Sequence, residues 1–159
     1  QSAGSSIMAH TYTGANMPAG YTASCLLTVV PTNASGQLKV VVVRGKSVAI
    51  QLATAFAVTV SVTNSTVSLS AIIPANASEI RGELAVGSSA LSTLSLTIVS
   101  DGTSSAGQQI LSLTVGAGQI VTTNYSGLLI TTPQVFTFTS SSTAGTPNFY
   151  GYVGGYTLQ

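Results

Sequence analysis

His10, Cys25, Glu79, Glu83 and Asp101 are the only imidazole, thiol and carboxylate groups among the side chains of this 159-residue sequence. General acid–base catalysis, activated nucleophiles and metal sites all draw on these groups. A Ser-His-Asp arrangement can be written from His10, Asp101 and any serine. No Gly-x-Ser-x-Gly elbow accompanies it, and His10 lies in a polar N-terminal stretch. A metal centre would have to gather three or four ligands from five residues dispersed along the chain. Gly116-Ala-Gly118 opens like a dinucleotide-binding loop, but position 121 is valine where the third glycine should stand. The expectation is a protein with no catalytic site, no metal and no cofactor. Cys25 has no intramolecular partner and sits in the run Ser24-Cys25-Leu26-Leu27, as a buried inert thiol would.

One modification motif does recur. Asn33-Ala-Ser35, Asn64-Ser-Thr66, Asn76-Ala-Ser78 and Asn124-Tyr-Ser126 are N-x-[ST] sequons, taking four of the six asparagines. Chance at this Ser/Thr content would supply roughly one or two. All four fall in expected turns or strand ends, where a glycan can project.

Charge is scarce. Only 4% of residues are Asp, Glu, Lys or Arg, and the net charge is +1, whereas about a quarter of an ordinary domain is charged. Nucleic acid binding needs clustered basic residues; here Lys39, Arg44 and Lys46 are the nearest approach, and solvated strand ends account for them. Serine and threonine, 45 residues together, must therefore keep the surface in water. With 45% apolar residues the chain has material for a core and is not a disordered polar tract. It reads as one domain by length. No run of 18 apolar residues occurs, so no membrane-spanning helix is expected. A chain opening on Gln1 reads as a mature product of signal-peptide cleavage, which places it outside the cell.

The elements expected to carry these residues are strands. Phe56, Val58, Val60 and Val62 alternate with Ala57, Thr59, Ser61 and Thr63, the period-two pattern of a half-buried strand. The same alternation runs through Val67–Leu69–Ala71, Leu94–Leu96–Ile98, Leu111–Leu113–Val115 and Phe136–Phe138. Leu26–Val30, broken only by Thr28, and Val40–Val43 are apolar runs, as in strands covered on both faces. Ser78–Val86 is the one stretch that could be helical; Gly82 weakens that reading, and Glu79, Arg81 and Glu83 fit one face of a strand equally well. Turn signals stand at Asn33–Gly36, Arg44-Gly45, Asn64-Ser65, Pro74–Asn76, Asp101-Gly102, Gly116–Gly118 and Ser140–Pro147. The pattern predicts an all-β, antiparallel β-sandwich of about nine or ten strands over 18–159, Ig-like or pilin-like.

Residues 1–17 read differently. Ile7-Met8-Ala9-His10-Thr11-Tyr12 is strand-like, and Gly14–Gly20 is a joint with glycine and proline but no core character. The alternatives are a detachable arm and an ordinary frayed first strand. At the other end, Tyr150, Tyr152 and Tyr156 recur among glycines at strand spacing, suiting either a core-edge strand or a contact with a neighbouring subunit.

The arm at Ser5–Tyr12, the charge-poor Ser/Thr-rich sandwich and the sequons at Asn33, Asn64, Asn76 and Asn124 together resemble the thread-type filament subunits of archaea. The resemblance is one of architecture and composition. It implies a glycosylated extracellular homopolymer, assembled head to tail, in which each subunit inserts its N-terminal strand, here Ile7–Tyr12, into the next subunit's sandwich. Two other readings stand beside it: a viral capsid or capsid-decoration sandwich, and a carbohydrate-binding or adhesin module. The absence of tryptophan weighs against the last.

Overall fold

The computed structural model describes residues 11–12, 24–25, 29–30, 32, 35–101 and 107–159. Within them the chain is all β and forms two antiparallel sheets that face each other across one apolar core. Short preliminaries come first: β1 (Thr11–Tyr12) pairs with β2 (Ser24–Cys25) in a two-residue ladder. The larger sheet contains β3 (Val41–Arg44), β4 (Ser47–Val58), β6 (Ala77–Ser88), β9 (Ile120–Leu129) and β11 (Pro147–Leu158), in the order β3-β4-β11-β6-β9. The smaller contains β5 (Val62–Ser68), β7 (Ser92–Val99), β8 (Gln109–Val115) and β10 (Val135–Ser142), in the order β5-β10-β7-β8. No helix is present among the described residues, and none is therefore long and apolar enough to cross a membrane.

Alternation supplies the core. Leu94, Leu96 and Ile98 of β7 are fully buried, while Thr93, Ser95 and Thr97 between them face out. Phe136 and Phe138 of β10 point in from the same sheet; from the opposing sheet Phe56 stacks on Phe138 with centroids 4.0 Å apart and meets Phe136 at a tilt. Gly151 of β11 is what lets Phe56 lie there, since a Cβ at position 151 would run into the ring. Burial of these side chains, at about 25 cal/mol per Å² of apolar surface, is the main favourable term for a chain with so few ion pairs to draw on.

The outer face of the smaller sheet answers the question of solvation without charge. Register sets Thr93 opposite Thr114, Ser95 opposite Ser112 and Ser141, and Thr97 opposite Thr139. Thr93 and Thr114 hydrogen-bond through their hydroxyls at 2.9 Å, the kind of cross-strand pair that stabilises a sheet surface.

Three sequence expectations change. Ser78–Val86 is not a helix; it is the interior of β6, and Glu79, Arg81 and Glu83 share its outer face. The alternating run through Val62 is two strands, because the chain crosses from one sheet to the other at Thr59–Ser61 and leaves Val60 exposed. There Ser140 Oγ accepts from the Val62 amide and donates to the Val60 carbonyl, so hydroxyls replace the ladder bonds lost at the crossing. Asn64-Ser65 is not a turn: Asn64 sits inside β5 at φ 48°, beside an irregularity in the β5–β10 ladder.

Candidate subunit-binding edge

Val40–Val43 was expected to be covered on both faces. It lies instead on the outermost strand of the larger sheet, with Val40 88% and Val42 71% exposed. The reason is positional: β3 is only four residues long and pairs with Ser47–Ile50 of β4, through a two-residue turn in which Gly45 takes φ 58°. A short apolar run can fill a sheet centre or an edge, and its composition does not distinguish the two.

Beyond Ile50, β4 continues for eight more residues, Gln51–Val58. Among the described residues nothing pairs with the side of this stretch that faces away from β11. Its backbone is also lifted there: Ile50, Gln51 and Leu52 stand opposite the single Gly154 between the pairs Ala53–Val153 and Ala49–Gly155. This bulge opens a recess of about 410 Å³, lined by Leu38, Val40, Ile50, Leu52, Ala53 and Ile72 among others. Leu38 is 73% and Leu52 50% exposed. Lys39 runs its chain along the rim and donates to the Ala71 carbonyl oxygen at 3.2 Å.

An edge strand shows a row of free N–H and C=O groups, and soluble proteins blunt such edges with charge, proline or bulges that twist them away. The sequence Gln51-Leu-Ala-Thr-Ala-Phe-Ala-Val58 has no charge and no proline. Its bulge exposes leucine where another edge would expose lysine. By contrast, β5 at the corresponding edge of the smaller sheet is interrupted at Asn64, whose backbone amide and side-chain oxygen are both engaged by Thr139 Oγ1.

The expected donor residues divide. Ile7, Met8, Ala9 and His10 lie outside the described residues. Thr11 and Tyr12, expected to leave with the arm, pair with Cys25 and Ser24 of the same chain. The apolar run Leu26–Val30 has no strand at Val29 or Val30.

The sequons also divide. Asn33 lies outside the described residues. Asn64 and Asn124 are exposed, the first on β5 and the second on the outer face of β9. Asn76 is only 5% exposed, and its Nδ2 is enclosed with no hydrogen-bonding partner. A glycan on that nitrogen requires the turn before β6 to open, so Asn76 is a poor acceptor in the folded domain. The sequon motif carries no information about burial, which is why the sequence put all four together.

Of the three tyrosines, Tyr156 is core. It is fully buried, its hydroxyl donates to the Val29 carbonyl oxygen at 2.7 Å, and burial pushes its pKa up to about 12. The bulge at Gly154 shifts the alternation of β11 by one residue, bringing Tyr156 inside although it is an even number of positions from Tyr152. Tyr150 and Tyr152 remain on the outer face, half-buried, with ring centroids 6.1 Å apart. Tyr125 of β9 is a further buried tyrosine that sequence reading missed. Its hydroxyl donates to the Tyr152 carbonyl oxygen at 2.9 Å, and burial raises its pKa.

No group of three or more His, Cys, Asp or Glu that could hold a metal ion occurs among the described residues. No protein-family model matches the chain, and no curated protein is significantly similar to it.

Proposed function

We propose that this protein is the structural subunit of an extracellular filament, polymerised head to tail by strand donation. The observation that carries the reading is the eight-residue edge Gln51–Val58, unpaired among the described residues, beside an apolar recess. Strand addition to such an edge draws affinity from main-chain hydrogen bonds and specificity from pockets that take alternate side chains. The donor is the segment ending at Tyr12. Six extended residues, Ile7–Tyr12, span roughly 20 Å and the edge roughly 26 Å, so the lengths are compatible. Fifteen extended residues reach about 50 Å, enough for the arm to cross to another domain.

The energetic sense of the exchange is favourable. A two-residue ladder between Thr11–Tyr12 and Ser24–Cys25 holds few bonds and is marginal by itself. Trading it for a longer ladder on β4 satisfies more backbone groups and removes Leu52 and Val40 from water. Because donor and acceptor are different surfaces of one chain, the contact is heterologous and extends without closing. The sparse charge and the exposed sequons at Asn64 and Asn124 fit a glycosylated surface outside the cell.

Deletion of residues 1–15 tests the reading. Electron microscopy of the full chain should find fibres, and the truncated chain should remain a monomer that takes up a synthetic peptide of residues 1–15. Fibres formed equally well by the truncated chain would rule out donation by this segment.

A further inference from the structure

In a chain with seven formally charged side chains, three of them, Glu79, Arg81 and Glu83, alternate along the outer face of β6 near the middle of the larger sheet. Beside them on β11 lie the rings of Tyr150 and Tyr152, 6.1 Å apart and within 18° of parallel. Register places Tyr152 opposite Thr54 on one side and Glu83 on the other, and Glu83 opposite Asn124. One row across four strands therefore reads Thr54, Tyr152, Glu83, Asn124. The adjacent row, Ala57, Tyr150, Ala85, Thr122, has small side chains around its ring, so the aromatic pair is not walled in. On the other flank the Arg81 guanidinium lies over Gly155, where a Cβ would collide with it, and one nitrogen donates to the Val48 carbonyl oxygen at 3.1 Å. A recess of about 370 Å³ opens between Leu52, Arg81, Glu83, Asn124 and Ser126.

None of this is required by the core. Tyr150 and Tyr152 face away from it, and neither their hydroxyls nor the Glu83 carboxylate has a hydrogen-bonding partner within the described residues. Two stacked aromatic rings present their outer faces and edges as an apolar surface, while a carboxylate, a guanidinium and hydroxyls beside them supply acceptors and donors. A few polar groups converging on an apolar surface define a small-molecule site.

We infer that this face binds a neutral oligosaccharide. Sugar rings present C–H faces that lie against tyrosine and equatorial hydroxyls that need donors and acceptors at the rim. Glu83 accepts from hydroxyls and Arg81 donates to them through its remaining N–H groups. The face carries two carboxylates against one guanidinium, which disfavours polyanionic sugars and nucleic acid. The tyrosine face and the β4 edge meet at Leu52, which lines both recesses; the inference rests on Tyr150, Tyr152, Glu83 and Arg81, none of which strand donation uses.

The test titrates the full native chain calorimetrically with neutral gluco-, manno- and chito-hexaoses. At least one should bind saturably. Tyr150→Ala and Tyr152→Ala should each weaken binding about three- to tenfold. Tyr152→Phe keeps the ring and should bind within about twofold of the parent, which separates loss of the platform from loss of fold. Thr93→Ala, on the other sheet, should change nothing. The inference is overturned if no hexaose binds at 10 mM (on the order of the weakest useful affinity), or if Tyr150→Ala and Tyr152→Ala bind as the parent does. Saturation by a trimethyl-lysine peptide with no sugar binding would also overturn it, marking the rings and Glu83 as a cation site.

Discussion

The Tyr156 hydroxyl donates a 2.7 Å hydrogen bond to the backbone carbonyl oxygen of Val29, 127 positions earlier in the chain. It pins the segment leading out of the N-terminal region to the strand at the centre of the larger sheet. Because the phenol is buried, its proton is held to about pH 12, against an ordinary value of 10; Tyr125 shifts in the same direction.

The pH profile follows from these groups. A tyrosine whose folded pKa lies above its unfolded value contributes stability in full below pH 10 and loses it as pH rises through 12. On the acid side there are only three carboxylates and one histidine to titrate. Melting temperature should be nearly level from about pH 2 to pH 8 and fall above about pH 10. Tyr156→Phe should soften the alkaline fall and cost about 1 kcal/mol at neutral pH, by leaving the Val29 carbonyl without its donor. A collapse below pH 4 would instead reveal a critical buried carboxylate.

Two neighbouring glycines should respond differently to the same change. A methyl at Gly151 meets the Phe56 ring and disturbs its stack on Phe138, so Gly151→Ala should cost about 1–3 kcal/mol in denaturant unfolding. At Gly154 the nearest atom to an added Cβ is Leu52 Cδ1 at 3.4 Å, an ordinary contact. Gly154→Ala should therefore leave the midpoint within about 0.5 kcal/mol of the parent.

Placing a charge on the open edge separates assembly from folding. Leu52 is half exposed on the β4 bulge, and Leu52→Lys should leave the melting temperature within a few degrees while abolishing or shortening fibres. Sedimentation and electron microscopy of parent and variant side by side measure the two effects.

Glycan occupancy should track exposure rather than the motif. Mass spectrometry of native protein should find sugar on Asn64 and Asn124 and none on Asn76, whose Nδ2 is enclosed. Modified Asn76 peptides in folded material would mean that the turn before β6 opens.

Much of the sandwich was legible in the sequence, because period-two alternation around Leu94–Ile98 and Phe136–Phe138 states which face is buried. What alternation cannot state is where a strand stands within its sheet. Val40–Val43 has the composition of an interior strand and is an edge, since its place depends on β4 being long and β3 short. Tyr156 was left open between core and contact surface for a related reason: a bulge at Gly154 reverses the parity of the strand, and no residue type announces it. The tyrosine row with Glu83 and Asn124 was out of reach, because it is assembled by register between strands far apart in sequence. The chemistry-poor inventory of residues, by contrast, needed no fold to be read.

The position of β11 has a consequence in time. It lies between β4 and β6 and forms ladders with both, yet it follows them in the sequence by many tens of residues. A chain emerging from its N-terminal side presents β3, β4, β6 and β9 before the strand that joins them exists. Until then the inner edges of β4 and β6 are both open, and Phe56 has no Gly151 to lie against. Closure of the larger sheet must therefore be a late event, dominated by contacts between distant residues and slow for that reason. During that interval the nascent chain has adhesive edges that β11 later covers; among the described residues, the opposite side of β4 at Gln51–Val58 stays open afterwards. A factor that holds the chain extended until β11 has emerged would protect it from joining its neighbours too early.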